Sequence, residues 1–169
     1  MTWEPEDGAA GFPPPGRVLG VDLGSRRIGV AVSDDHRRVA SAFCVLLRAR
    51  SHAEDHAALA AVVTETTANL VVVGLPLSLS GGSGPAAQAV KAEVEELTQM
   101  LPVPVECCDE RYSTVIAWRA LAAGGRRGPA RRSVVDKVAA AGILQTWLDR
   151  RRNWDATGPG APGEGRRLQ

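Results

Sequence analysis

The run Leu70-Val-Val-Val-Gly-Leu-Pro76 is apolar without interruption until proline stops it, and few folds have room for such a segment. A strand with one wet face alternates apolar and polar residues. A strand that does not alternate is covered on both faces, as in parallel sheets sandwiched between helices. The run is too short to span a bilayer, which takes roughly 20 apolar residues, and no other segment approaches that length. It therefore predicts an α/β domain with a central strand near its middle.

The segments around it supply the rest of a sheet. Val18 to Asp22 and Ile28 to Ser33 are short β-rich runs joined by Gly24-Ser-Arg-Arg27, a hairpin signature, and Val39 to Leu47 reads as a third strand. Glu54 to Ala68 has Leu59, Val62 and Val63 on helical spacing after Ser51, a candidate N-cap. After the glycine-rich loop at Gly81, Pro85 sits at the first turn of a helix from Ala86 to Leu101, with Ala89, Val90, Val94 and Leu97 as its apolar stripe. Val103 to Cys107 reads as a fifth strand. Thr114 to Ala123 reads as a helix ended by Gly124-Gly125, and Ser133 to Arg150 as an amphipathic helix with Val135, Val138, Ala139, Gly142, Ile143 and Trp147 on one stripe. The order βββαβαβαα predicts a mixed five-stranded sheet flanked by helices.

At 169 residues and 44% hydrophobic, the chain suits one core and one domain. Residues 1–16 hold four prolines, and residues 153–169 are rich in Gly, Pro and Arg. Both read as disordered tails around a domain spanning 17–152. The start of the chain is acidic and Pro-rich where a secretory signal would be basic and then apolar, which predicts a cytoplasmic protein. Cys44, Cys107 and Cys108 are an odd number without CxxC spacing, more consistent with reduced structural thiols than with a disulfide framework or a zinc site. His36, His52 and His56 fall in a turn and around a helix start, and read as solvated surface groups. Trp118 and Trp147 read as packing residues.

Within Arg17-Val-Leu-Gly-Val-Asp-Leu-Gly-Ser-Arg-Arg-Ile-Gly-Val-Ala-Val-Ser-Asp34 an apolar strand ends on the carboxylate of Asp22. A charge buried there without a partner is costly, which points to a cation or phosphate at the strand end. Asp109 and Glu110 follow the fifth strand, and Asp136 lies on the last helix. Open α/β sheets hold ligands at the carboxyl ends of their strands. If the first and fifth strands are close and the last helix crosses them, Asp22, Glu110 and Asp136 converge. Three hard oxygen donors suit Mg²⁺ or Mn²⁺. Two such ions roughly 3.5 to 4 Å apart stabilise both oxygens of a phosphodiester displacement, so no Ser or His nucleophile is needed. Taken singly, each acid also fits a blander role: Asp22 in a turn, Asp109 and Glu110 paired with Arg111, Asp136 paired with Arg132.

Net charge is only +1, so affinity for nucleic acid has to be local. Arg126, Arg127, Arg131, Arg132 and Lys137 are opposed over that stretch only by Asp136. A glycine-rich arginine loop leading into the helix of the third acid can reach phosphates, contacts that read shape rather than bases. The alternative is a solvated turn. Arg150, Arg151 and Arg152 with Trp154 form a second basic cluster, better explained by the helix C-terminal dipole.

Four segments carry a family resemblance: Asp22-Leu-Gly-Ser-Arg-Arg-Ile-Gly-Val-Ala-Val-Ser-Asp34, Val73-Gly-Leu-Pro76, Asp109-Glu-Arg111 followed by Ser113-Thr114, and Val135-Asp-Lys-Val-Ala-Ala140 with Ile143-Leu144. With them the chain resembles the YqgF family over about residues 17 to 150. Members are named as Holliday junction resolvases or as pre-16S rRNA nucleases, and have a ribonuclease-H-like fold. The resemblance implies that Asp22, Glu110 and Asp136 bind the metal, with Arg111 and Thr114 supporting Glu110. It also implies that Gly74, Leu75 and Pro76 shape the site floor and that the loop through Gly81 borders substrate. Ser78, Ser80 and Ser113 depart from residues usual in the family.

The expectation is thus a metal-dependent endonuclease acting on structured nucleic acid, with the 5′ end of the 16S rRNA precursor as the substrate the resemblance implies. Resolution of four-way DNA junctions is the close alternative; it would need a homodimer, whereas the RNA reading is open to a monomer. A non-catalytic RNA-binding assembly factor is the third reading. Actin-like and sugar-kinase ATPases share Asp-x-Gly-Ser after a strand, but need a second lobe for which this chain lacks the residues.

Overall fold

The computed structural model describes residues 16–77, 84–109 and 129–157. Both expected tails lie mostly outside this range, as do the helix expected at Thr114 to Ala123 and the loop around Gly81. Strands β1 (Val18–Leu23), β2 (Arg27–Ser33) and β3 (Ala40–Leu47) lead into helix α1 (His52–Thr66). Strand β4 (Leu70–Leu75), helix α2 (Pro85–Met100), strand β5 (Val105–Asp109) and helix α3 (Pro129–Thr157) follow. The helix α3 is longer than the sequence pattern suggested and continues to Thr157, through residues 153–157 that were expected to belong to a tail.

The five strands form one mixed sheet in the order β3-β2-β1-β4-β5. Pairings β1–β2 and β2–β3 are antiparallel, and β1–β4 and β4–β5 are parallel. All six residues of β4 are buried, as its lack of alternation requires. The period-two geometry of strands then sorts the core into two layers. Leu19, Val21, Ile28, Val30, Val71 and Val73 pack with Leu59, Val62 and Val63 of α1 and Ala87, Val90 and Leu97 of α2. Val18, Ala31, Leu70, Val72 and Cys108 pack on the opposite face with Ala139, Ala140, Ile143, Leu144, Trp147 and Leu148 of α3.

Local chemistry sets the element ends. Ser51 Oγ accepts from the Glu54 N–H at 3.3 Å and donates to the Glu54 carboxylate at 3.3 Å, a reciprocal cap that starts α1. At its other end Thr67 adopts φ 53°, and the Ala68 N–H bonds back to the Val63 carbonyl at 3.1 Å. Pro85 stands in the first turn of α2, as expected. On that helix Ala89 is exposed, and the buried positions are Ala87, Val90, Glu93 and Leu97. The stripe is displaced because α2 presents Glu93 to a polar cluster.

The cluster corrects the reading of the histidines. His36 is exposed and His52 largely so, but His56 is only 1% exposed. It sits where Arg48, at the end of β3, reaches under α1 and α2. Arg48 Nη2 donates to Glu93 Oε2 at 2.9 Å, Nη1 to Asp55 Oδ2 at 2.9 Å, and Nε to the Gly24 carbonyl at 2.9 Å. The Ala49 N–H adds a bond to Asp55 Oδ1 at 2.7 Å.

The turn between β2 and β3 is closed by Asp34, whose Oδ1 accepts from the N–H groups of Arg38 at 2.6 Å and Val39 at 2.9 Å. The Val39 bond leads the effects that hold the Asp34 carboxyl below its ordinary value of 3.8. A depressed carboxylate stabilises the fold above the unfolded-state value, and that contribution disappears as pH falls through the lower folded-state value. Asp34→Asn is therefore expected to lower thermal stability at neutral pH, with the gap to wild type closing below about pH 3.8. Melting curves across that range test it, and a gap independent of pH would refute the charge-based account.

Candidate metal and nucleic-acid site

Two glycines decide how closely α3 approaches the sheet. A Cβ built on Gly29 would lie 2.1 Å from the Asp136 carbonyl oxygen and 2.6 Å from its carbonyl carbon. One built on Gly20 would lie 2.5 Å from Leu144 Cβ and 2.9 Å from the Ala140 carbonyl oxygen. The three helix positions are four residues apart and share one face. Side chains at Gly20 or Gly29 would lift the helix off the sheet, so α3 rests with its backbone directly on β1 and β2.

That contact brings two of the expected acids to one place. Asp22 is the register partner of Gly29 in the antiparallel β1–β2 pair. Cross-strand partners point to the same face of a sheet, so Asp22 faces the layer occupied by α3. Asp136 is the residue whose backbone covers Gly29. Both acids thus flank a single glycine at the carboxyl end of β1, and both are half-buried. The register aligns Val21 with Val73 and Val73 with Cys107, which puts Asp22, Gly74 and Cys108 one step further along three adjacent strands.

Among the described side chains Asp136 is met by Arg27, whose Nη1 lies 3.4 Å from Asp136 Oδ2; the side chain of Arg132 lies outside the described residues. Arg27 precedes Gly29 by two residues and so shares its face. At 22% and 30% side-chain exposure this pair is only partly screened. Arg27 engages a single carboxylate oxygen, at the long end of hydrogen-bonding distance. The oxygen donors of Asp22 and Asp136 are of the type that Mg²⁺ and Mn²⁺ take, and a guanidinium beside them suits phosphate.

The other expected site residues are distributed unevenly. Glu110, Arg111, Thr114, Arg126 and Arg127 lie outside the described residues; Glu110 directly follows Asp109, the last residue of β5. Arg131 and Arg132 fall in the first turns of α3, and Lys137 is half-buried one residue beyond Asp136. Gly74 is on the α3 side, whereas Leu75 belongs to the other core layer. Cys44, Cys107 and Cys108 are free thiols; burial leads the effects that raise those of Cys44 and Cys107. Trp147 packs as expected, 8% exposed with its indole N–H on Glu106 Oε2 at 3.0 Å. Arg151 stacks over the same ring at 5.6 Å and Arg152 pairs with Asp149, which supports a structural role for that basic cluster.

Arg27 and the two glycines escaped the sequence reading. The signal was present: Gly20, Gly29 and Ala31 are small residues on one sheet face, a pattern that marks close backbone approach.

Against this geometry, comparison with known proteins gives a consistent family. The family model RuvX, described as Holliday junction resolvase, matches residues 16–150. A protein of Mycobacterium sp. (strain KMS) named "Putative pre-16S rRNA nuclease" is 44% identical over 162 residues, covering 95% of this chain and 94% of that one. Proteins of the same name from Cereibacter sphaeroides (strain ATCC 17029 / ATH 2.4.9) and Anaeromyxobacter dehalogenans (strain 2CP-1 / ATCC BAA-258) are 43% and 47% identical. They cover 86% and 80% of this chain, and 90% and 98% of their own lengths. Among solved structures, T. thermophilus RuvC in complex with Holliday junction substrate aligns with TM-score 0.49 and 14% identity, over 80% of this chain and 96% of that one. The fold is that of an α/β protein with a mixed five-stranded sheet and its last helix seated on β1 and β2. The chain belongs to the RuvX family, also called YqgF.

Gly29→Ala is expected to displace α3, because the obstructing atoms are backbone and cannot rotate away. Overpacking of this kind costs about 1–3 kcal/mol. Urea denaturation measures the loss, and the altered environment of Trp147 on the same helix reports the displacement by fluorescence. Wild-type stability with unchanged fluorescence would show that the approach is looser than described.

Proposed function

We propose that this protein is a divalent-metal-dependent endonuclease that hydrolyses phosphodiester bonds of structured RNA and trims the 5′ end of the 16S rRNA precursor. The observation that carries the reading is the placement of Asp22 and Asp136 around Gly29, on the face closed by α3. The family supplies the substrate class, since relatives up to 47% identical carry the pre-16S rRNA nuclease name.

Asp22 and Asp136, with Glu110 as the third donor, would hold Mg²⁺ or Mn²⁺. When bound, the cation neutralises phosphate charge and lowers the pKa of a water that becomes the nucleophile. The chain's own part is to hold the acids in place. The β1–β2 register fixes Asp22, and the helix seated on Gly29 fixes Asp136. Arg27 offsets the charge of Asp136 and lies where a phosphate would be drawn in. Arg126, Arg127, Arg131, Arg132, Lys137 and Arg111 would contact phosphates flanking the cleaved bond, adding affinity without base selectivity. In the described residues no helix is long and apolar enough to cross a membrane.

Asp22→Asn and Asp136→Asn are each expected to reduce turnover by roughly 100-fold or more, the scale on which losing one transition-state charge stabiliser is felt. Folding and RNA binding should persist. The decisive assay compares cleavage of precursor 16S rRNA and a synthetic four-way junction side by side, with Mg²⁺ or Mn²⁺ added. Preference for the junction would reassign the substrate, and unchanged turnover in either variant would discard the site.

Replacing Arg126, Arg127, Arg131 and Arg132 with alanine should flatten the salt dependence of RNA binding by roughly one unit of slope per lost phosphate contact. An unaltered slope would return that segment to a solvated turn.

A further inference from the structure

The polar cluster between α1 and α2 lies in the core layer opposite α3, and neither the fold nor the nuclease reading accounts for all of it. Arg48 is the guanidinium between two carboxylates, Asp55 and Glu93, which are 3% and 5% exposed. Arg48 thus supplies one positive charge against two carboxylates. Charges in such surroundings are paired or coordinate a metal.

The missing partner is indicated by the imidazoles. His52 and His56 are one helical turn apart on α1 and face the same way, their ring centroids 5.7 Å apart. His56 Nε2 is fully buried and has no hydrogen-bond partner. It stops 3.6 Å from Glu93 Oε1, beyond hydrogen-bonding distance. His52 Nδ1 lies 2.9 Å from Glu96 Oε2, and donating there leaves Nε2, 4.0 Å from Glu93 Oε2, with a lone pair to offer. A carboxylate that fixes the tautomer of a histidine in this way is the usual outer support of a metal ligand. The ligand atoms of His52, His56 and Glu93 all lie within 4.8 Å of one another. Arg48 takes one lone pair from each Glu93 oxygen, and a carboxylate has about four to offer.

We propose that His52, His56 and Glu93 form a second metal site, for Zn²⁺ or a similar transition-metal dication, separate from the oxygen-donor site at Asp22 and Asp136. Two imidazole nitrogens and one carboxylate select borderline-soft ions over Mg²⁺. A groove of about 330 Å³ lined by Ser25, Arg48, Arg50, Ser51, His52 and Asp55 opens beside it, giving an entry path and space for a water as fourth ligand. The ion would cross-link α1 to α2 and add positive charge beside the two carboxylates that Arg48 alone does not neutralise.

The test is titration of the full-length, metal-stripped protein with Zn²⁺ alone, in the absence of nucleic acid, followed by calorimetry and by the histidine ring resonances. One Zn²⁺ per chain is expected, with the His52 and His56 signals shifting together. Glu96→Gln should weaken binding by roughly ten- to 100-fold, the cost of losing an outer-shell partner, and His52→Ala and His56→Gln by more. Asp22→Asn should leave Zn²⁺ affinity unchanged, which separates this site from the nuclease reading. If His56→Gln fails to fold, His52→Ala carries the test, because its side chain is 53% exposed. No uptake by wild type, undiminished uptake in His52→Ala, or uptake abolished by Asp22→Asn would each overturn the proposal.

Discussion

The structure depends on the close seating of α3 on the β1–β2 hairpin. Helices normally ride on side chains; here Gly20 and Gly29 remove them, and helix backbone meets strand backbone. The chain thereby brings Asp136 over Gly29, the cross-strand partner of Asp22 more than a hundred residues earlier, through backbone contact. Packing supplies the energy, with Ala140, Ile143, Leu144 and Leu148 fully or almost fully enclosed. The position of the helix that carries Asp136 is thus set by the apolar α3 layer.

The opposite layer solves a different electrostatic problem. Arg48 lies at the end of β3, and its guanidinium ties that strand to Gly24 in the first hairpin, to Asp55 in α1 and to Glu93 in α2. Replacing such a network with apolar groups can leave a protein as stable or more so. Its value is in specifying how the two helices and the hairpin meet. That hairpin also carries Arg27, so the cluster and the two acids are attached near the same turn, on opposite faces of the sheet.

Much of this was readable in the residues. β-rich runs, the hairpin signature and the unbroken apolar run at Leu70 identified the five strands, and Ser51 and Pro85 marked helix starts as capping chemistry requires. Asp22 stood out because an apolar strand ends on it, and Asp136 because it lies on the helix expected to cross the sheet. The histidines were misjudged because a polar residue near a helix start looks solvated in one dimension. What buries His56 is Glu93 on a helix that arrives later in the chain. Ala89 was placed on the wrong side of α2 for the same reason, since the pattern has no entry for a buried glutamate. The helix α3 outran its expected end because the tail's composition is polar, while helical hydrogen bonds continue through polar residues.

By itself the sequence determined the alphabet of elements, their order, the α/β class and the acidic residues available for chemistry, because these follow from local periodicity and from charges that cannot be hidden cheaply. Tertiary structure alone decided which face each acid shares, that Arg27 meets Asp136, and that His56 is enclosed. Those outcomes depend on strand register and helix approach. Both are properties of pairs of segments, set by packing volume and hydrogen bonding between residues that no local pattern connects.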